Sequence, residues 1–335
     1  MAKVLISGYY GYKNFGDELI LSVLVNHLKS LNSDITVLSG DVEYTEQNNG
    51  VRAVKRFDIA KVINEIKNCD VLISGGGSLL QDVTSIKSLI YYAFILSLGI
   101  LFNKKVIIFA QGIGPLNSKL SKTIVKNILK CCSYVSVRDE KSQNLLSDWK
   151  IKADLVCDPV YSLKLSKFEN QADKNKVGIQ LRDFPSMNYN LLQKLACLIC
   201  EKFPDKKIEI LSLQKSQDYE VCVKFKNILL NINPSIQAEI VEENIIKTIS
   251  GLEYFIGMRF HSLLIALMSG VRACAINYDI KVETLSKEAQ IPLISMSAKE
   301  NFEEIYNLLQ NLNAEKLLQY TNSKRFDWSE FDKLL

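Results

Sequence analysis

A guanidinium and an imidazole stand two residues apart in Tyr254-Phe-Ile-Gly-Met-Arg259-Phe-His261-Ser-Leu-Leu-Ile-Ala-Leu-Met-Ser-Gly270. Together they could hold an anion and deliver a proton to it. The apolar run Tyr254 to Ile256, bounded by Gly257, predicts a buried strand. Ser262 to Ser269, closed by Gly270, predicts a short buried helix. Arg259 and His261 then lie on the connecting turn. In a doubly wound sheet that turn is at the carboxyl edge of the strands, where ligands bind and helix N–H groups point. The same pattern also suits an Arg that caps neighbouring carbonyls and a His that only packs.

Other polar residues recur at strand ends. Lys3 to Ser7 reads as a strand that breaks into Gly8-Tyr-Tyr-Gly-Tyr-Lys-Asn14-Phe-Gly-Asp17-Glu, before helical spacing from Leu19 to Leu31. Glycines let the backbone approach a ligand, and Asn14 or Asp17 could cap the helix or hold a sugar hydroxyl. The spacing is neither that of a dinucleotide fold nor a Walker loop, so nicotinamide and ATP chemistry lose support. Val71 to Ser74 enters Gly75-Gly-Gly-Ser-Leu-Leu-Gln81-Asp82, either a binding turn with Gln81 and Asp82 facing the cleft or a plain tight turn. Lys105 to Ala110 ends in Gln111-Gly-Ile-Gly-Pro115, and a strand from Tyr134 delivers Arg138, which could instead pair with Asp139 or Glu140. Arg272 to Asn277 runs into Tyr278-Asp-Ile-Lys281, where Lys281 is either a phosphate ligand or a solvated surface side chain.

These strands and helices alternate twice over. The 335 residues, 47% hydrophobic, predict an α/β chain of two Rossmann-like domains facing a cleft. The expected boundaries are residues 1–165, a polar linker over 166–176, a second domain over 177–320, and a segment 321–335 crossing back to the first. The net charge of +4 is spread along the chain, with no arginine-rich block, which argues against nucleic acid. Cys197-x-x-Cys200 falls in a helical pattern with no second pair to complete four ligands, so the expectation is core thiols and no metal. Ser88 to Phe102 is too short to span a bilayer. It reads as a buried helix, or as an interfacial contact with a lipid-linked substrate. With no signal peptide ahead of the first strand, the expected location is the cytoplasm, free or at the inner face of the cell membrane.

Taken in order, Gly8-Tyr-Tyr-Gly-Tyr-Lys-Asn-Phe-Gly-Asp-Glu, Ser74-Gly-Gly-Gly-Ser-Leu-Leu-Gln-Asp, Gln111-Gly-Ile-Gly-Pro, Ser136-Val-Arg-Asp-Glu-Lys-Ser, Gly257-Met-Arg-Phe-His and Tyr278-Asp-Ile-Lys resemble the motifs of the polysaccharide pyruvyl transferases, cell-wall type. The resemblance implies a GT-B-like fold, phosphoenolpyruvate as donor substrate, a lipid-linked hexose of N-acetylmannosamine type as acceptor, and neither cofactor nor metal. It implies donor binding by Arg138, Arg259, His261 and Lys281. Ketal formation needs a proton at C3 of the donor, which makes His261 and Arg259 the expected catalytic residues, with a His261 that only hydrogen-bonds the phosphate as the alternative. The glycine loops then supply the acceptor side through Gly8, Asn14, Asp17, Gln81, Asp82 and Gln111. Phe260 and Lys13 depart from the smaller residues usual at their positions. A nucleotide-sugar glycosyltransferase of the same architecture, or a sugar- or anion-binding protein without turnover, would use similar turns.

Overall fold

Short runs of Val, Ile and Leu, apolar on both faces, form parallel strands covered by helices on each side. The computed structural model describes residues 1–83, 85–165, 175–184 and 189–335. Most of the expected linker 166–176 therefore lies outside the described residues. Contacts divide the chain into a first unit, Met1–Leu163 with Arg325–Leu335, and a second, Lys164–Lys324. The segment 321–335 thus divides at Arg325.

The first unit begins with β1 (Lys3–Ser7), α1 (Phe15–Ser30), β2 (Asp34–Ser39), α2 (Val42–Asn49) and β3 (Arg52–Lys55). It continues with α3 (Ile59–Asn68), β4 (Val71–Ser74), α4 (Ile86–Leu101), β5 (Lys105–Gln111) and α5 (Lys119–Lys130). β6 (Tyr134–Val137), α6 (Glu140–Asp148) and β7 (Asp154–Leu155) complete a parallel sheet ordered β3-β2-β1-β4-β5-β6-β7. The second unit opens with β8 (Lys176–Gln180), α7 (Tyr189–Lys202), β9 (Lys207–Leu211), α8 (Lys215–Ile232), β10 (Ala238–Val241) and α9 (Ile245–Ser250). β11 (Tyr254–Gly257), α10 (Phe260–Met268), β12 (Arg272–Asn277), α11 (Ile280–Ala289), β13 (Leu293–Ser295), α12 (Phe302–Gln310) and α13 (Ala314–Ser323) follow. Its parallel sheet runs β10-β9-β8-β11-β12-β13. In both sheets the strand order reverses once, between β1 and β4 and between β8 and β11. A reversal separates the helices above two neighbouring strands and opens a crevice at their carboxyl ends.

Three elements differ from the sequence expectation. α10 starts at Phe260 rather than Ser262, so Arg259 is its N-cap and His261 lies in its first turn. α11 starts at Ile280, which moves Lys281 from a turn into a first helical turn. On α7, Cys197 is exposed, not a core thiol, because the helix points that position outward.

The chain's last element, α14 (Ser329–Asp332), closes the first sheet's α1 face. Phe109 of β5 is fully buried, and its ring meets Phe326, Trp328 and Phe331 at 5.6, 5.5 and 5.1 Å. Trp328 also stacks on His27 at 3.7 Å, and His27 Nε2 lies 2.6 Å from an Asp332 carboxylate oxygen. Phe331 is 2% exposed. Phe331→Ala is therefore expected to lower the unfolding free energy by about 3 kcal/mol in urea titration. An unchanged midpoint would show that this segment does not complete the core.

Candidate active site

In the second unit, residues leaving neighbouring strands converge where the order reverses. Gln180 is fully buried at the end of β8. Its Oε1 accepts from the backbone N–H groups of Met258 and Arg259 at 3.2 and 2.7 Å, and its Nε2 donates to the Leu181 carbonyl. One amide thus ties the exit of β8 to the exit of β11 and fixes where Arg259 leaves the sheet. The Arg259 guanidinium lies side-on to Asp218 of α8, with Nε to Oδ2 at 2.9 Å and Nη2 to Oδ1 at 2.6 Å. Asp218 is fully buried and also accepts from the N–H groups of Leu213 and Gln214. This bidentate pair takes the Nε–Nη2 edge of the guanidinium, leaving the Nη1 edge turned away from the carboxylate.

Arg182 enters from the turn after β8. Its backbone N–H donates to the Met258 sulfur at 3.2 Å, and its guanidinium carbon lies 5.6 Å from the Tyr278 ring centroid. Its Nε is buried with no hydrogen-bond partner among the described residues. Such a donor is costly until an acceptor arrives. Burial pushes the Tyr278 hydroxyl above the usual phenol range, while the charges of Arg182 and Arg259 pull it back, so one phenol senses both cations. His261 sits in the first turn of α10, its ring edge-on to Phe260 at 5.2 Å. Lys281 sits in the first turn of α11, where Asp279 accepts its backbone N–H at 2.8 Å. The turns after β8, β11 and β12, three adjacent strands, therefore bring two arginines, an imidazole, a lysine and two helix N-termini to one edge. That combination suits an anion.

The first unit has its own edge. Glu18 Oε1 accepts from the N–H groups of Gly11, Tyr12 and Lys13 at 2.9, 3.2 and 3.2 Å, so the loop after β1 folds around a carboxylate. Oε2 is buried with no hydrogen-bond partner among the described residues. Burial outweighs the three N–H groups and raises the Glu18 carboxyl from 4.5 to about 7. Tyr10 fills the slot that Gly8 and Gly75 leave: a Cβ on Gly75 would lie 1.8 Å from its hydroxyl oxygen. Arg56, 4% exposed, is boxed by the rings of Tyr12, Phe57, Tyr91 and Tyr92 at 5.5, 5.3, 4.2 and 5.2 Å. Its Nη1 donates to the Gly8 carbonyl at 3.3 Å, which fixes the start of the same loop. Tyr9 and Tyr12 stack at 4.4 Å beside it.

The residues expected to hold an acceptor share this edge but differ in how they are engaged. Asn14 is the N-cap of α1, accepting from the N–H groups of Gly16 and Asp17. Asp17 stands in the first turn of that helix, under Gly77. Gln111 is fully buried and donates from Nε2 to Ser74 Oγ and the Gly75 carbonyl, both at 2.7 Å, so its amide nitrogen holds the triple-glycine turn. Gln81 Oε1 accepts from the Val83 N–H at 2.8 Å. Asp82 accepts from the N–H groups of Asn117 and Ser118, which keep its carboxyl below the usual range and make it a poor proton acceptor. Arg138 stands at the end of β6 and pairs with Asp158 at 2.7 Å, not with Asp139, which caps α6, or with Glu140. Sequence reading missed Arg182, Gln180, Asp218, Glu18 and Arg56, although Gln180 ends β8 and Arg182 stands two residues beyond it.

The sequence profile of the family described as polysaccharide pyruvyl transferase matches residues 14–280. No curated protein matches the chain by sequence. Among solved structures, the HepE protein of Anabaena in complex with UDP-glucose is similar at a TM-score of 0.64 and 13% identity, over 99% of this chain and 98% of that one. The UDP-N-acetylglucosamine 2-epimerase described as putative from Listeria monocytogenes gives a TM-score of 0.68 at 11% identity, covering 99% and 94%. UDP-GlcNAc 2-epimerase from Neisseria meningitidis gives 0.63 at 12%, covering 96% and 94%. These likenesses show the two-domain Rossmann-like, GT-B-like fold.

Two outcomes follow from the geometry. Arg259→Ala leaves the Asp218 carboxylate buried without its cation, and is expected to cost about 3 kcal/mol of stability in urea titration. The double variant Arg259→Met, Asp218→Leu should recover much of that loss, and equal loss in both would deny the pairing its role. For Glu18, the folded carboxyl holds its proton more tightly than the unfolded one. Stability is therefore full below pH 4.5 and falls as the pH rises from there to about 7, by roughly 3 kcal/mol at most. Glu18→Gln should flatten that segment of the pH–stability curve, and an unaltered slope would place its source elsewhere.

Proposed function

The chain belongs to the polysaccharide pyruvyl transferase family, and we propose that it moves the pyruvyl group of phosphoenolpyruvate onto a lipid-linked hexose of N-acetylmannosamine type as a 4,6-ketal. Phosphate is released, and the product serves cell-wall polysaccharide biosynthesis in the cytoplasm. The observation that supports this reading best is the grouping of Arg182, Arg259, His261 and Lys281 at the carboxyl edge of the second sheet. Phosphoenolpyruvate carries a carboxylate and a phosphate, about −2.5 to −3 charges at neutral pH. A compact trianion needs several cations in a partly desolvated place, and guanidinium edges suit its planar carboxylate and its phosphate. Asp218 offsets part of the Arg259 charge, which makes Arg182 and Lys281 the larger sources of attraction. Arg138, in the first unit and held by Asp158, is proposed as a further donor cation on its motif alone.

Ketal formation adds a proton to C3 of the donor, breaks the C2–O bond to phosphate, and joins C2 to two hydroxyl oxygens of one sugar. Of the two hydroxyl protons released, one balances the proton given to C3 and the other leaves with phosphate. No net oxidation or reduction occurs, so no redox cofactor is proposed. His261 is the proposed acid, since the bound trianion favours its imidazolium more than a half-charge helix dipole opposes it. The acceptor is assigned to the loops carrying Gly8, Asn14, Asp17, Gln81, Asp82 and Gln111, with the Tyr9–Tyr12 stack as an apolar surface for a sugar ring. Asp17, or Glu18 with its raised carboxyl, is the better candidate base, because Asp82 is held ionised by backbone N–H groups.

Phosphate release from phosphoenolpyruvate with a panel of glycosyl diphospho-lipid analogues tests the reading, with a new ketal methyl signal identifying the product. His261→Ala should remain folded and lose turnover by about a hundredfold or more, and Arg182→Ala should raise the KM for the donor. Near-wild-type rates in His261→Ala would remove the imidazole from the chemistry. The neighbours solved with UDP-glucose and UDP-GlcNAc favour a second reading, nucleotide-sugar glycosyl transfer. Thermal stabilisation by a UDP-sugar and not by phosphoenolpyruvate would establish it instead.

A further inference from the structure

The face of the first sheet covered by α3, α4 and α5 differs from the rest of the surface. α4, read from the sequence as a buried helix or an interfacial contact, packs only by its inner side: Leu89, Tyr92, Ala93, Ile95, Leu96 and Gly99 are buried. Its outer side carries Ile86, Ile90, Phe94 and Leu101, which are 51, 56, 40 and 71% exposed. At 100° per residue these four fall within an arc of about 80°, one stripe along the whole helix. The stripe is extended at one end by Phe57, 61% exposed, whose ring meets Tyr91 of α4 edge-on at 5.5 Å. On the adjacent α5, Leu120 is 66% exposed. Eight of the sixteen exposed large hydrophobics described lie between residues 57 and 120, so this is a patch and not a scatter.

Its charge is one-sided. From Val83 to Arg138 the chain contains seven lysines and Arg138 but no Asp or Glu. Lys87 on α4 and Lys119, Lys122 and Lys130 on α5 are exposed along the stripe. On the α3 side, the acids Asp58 and Glu65 are met by Lys61 and Arg52. A large apolar stripe flanked by the lysines of α4 and α5, with Asp58, Glu65 and Asp82 held by Lys61, Arg52 and backbone N–H groups, fits a surface that is apolar inside and anionic outside. We propose that this face lies on an anionic lipid bilayer, with α4 flat in the interfacial plane. Among the described residues no helix is long and apolar enough to cross a membrane, and α4, at 16 residues or about 24 Å, is shorter than a hydrocarbon core of about 30 Å. A second copy of the chain fits less well, because pairing the stripe with itself would set lysine rim against lysine rim.

The stripe begins, at Ile86 and Phe57, beside the carboxyl edge that carries Arg56, Tyr12 and the loop after β1. Docking would present that edge to substrates held in the lipid surface. This extends the acceptor assignment above but does not depend on it, since vesicle binding is read without turnover.

Co-sedimentation of the full chain with phosphatidylglycerol-containing vesicles, against phosphatidylcholine vesicles, is the test. The expected result is binding to the anionic vesicles that weakens with salt. Ile90→Glu with Phe94→Glu should weaken it by about tenfold or more. Lys119→Glu with Lys122→Glu should remove the preference for anionic vesicles. Both variants should keep the wild-type melting temperature, because the altered side chains are exposed. Absence of binding, or equal binding by the Ile90→Glu, Phe94→Glu variant, overturns the proposal. So does a wild-type dimer in sedimentation velocity that this variant converts to monomer, which would make the stripe a self-interface.

Discussion

The buried pair between Arg259 and Asp218 is the constraint on which the second unit's ligand edge depends. Two charges removed from water at the end of a sheet are stable only with complete hydrogen bonding. Asp218 obtains it from Leu213, Gln214 and the guanidinium, and the Arg259 backbone obtains it from Gln180. The result is a cation whose position is set by three strands' exits and not by its own flexible stem. An arginine so held can meet an incoming anion without first being ordered, which lowers the entropy cost of binding. His261 follows two residues on, in the first turn of a buried helix.

The first unit uses the opposite device. Its loop after β1 is organised around a carboxylate, Glu18, and its strand exits around a cation, Arg56, whose nearest described neighbours are rings and the Gly8 carbonyl. Aromatic rings and a loop with its N–H groups turned inward favour a neutral, hydroxyl-bearing guest over a phosphate. The two sheets thus offer different chemistries, one collecting positive charge and the other rings and carboxylates.

Much of this was legible in the chain. The alternation of apolar runs with helical spacing gave two parallel sheets, and each glycine or polar cluster fell at a carboxyl edge because the parallel topology sends every strand's end the same way. The elements that escaped notice had physical reasons to do so. α2, Val42–Asn49, has one buried residue, Thr45, and so no apolar stripe to read. β3 is four residues with Arg and Lys at its ends. α10 lacks a Ser, Thr or Asp cap, since Arg259 occupies that position and makes no side-chain cap, so the sequence shifts its start to Ser262. Partners such as Asp218, 41 positions from Arg259, leave no local signal at all. The sequence left α4 open between a buried helix and an interfacial contact, because its outer and inner faces are both apolar and only contacts tell them apart.

The most direct test of the donor assignment is a structure of the protein with phosphoenolpyruvate bound. The account predicts the donor at the carboxyl edge of the second sheet, its phosphate or carboxylate oxygens within hydrogen-bond distance of Arg182 and Arg259 and its methylene facing His261. A donor bound with none of these side chains in contact would contradict it.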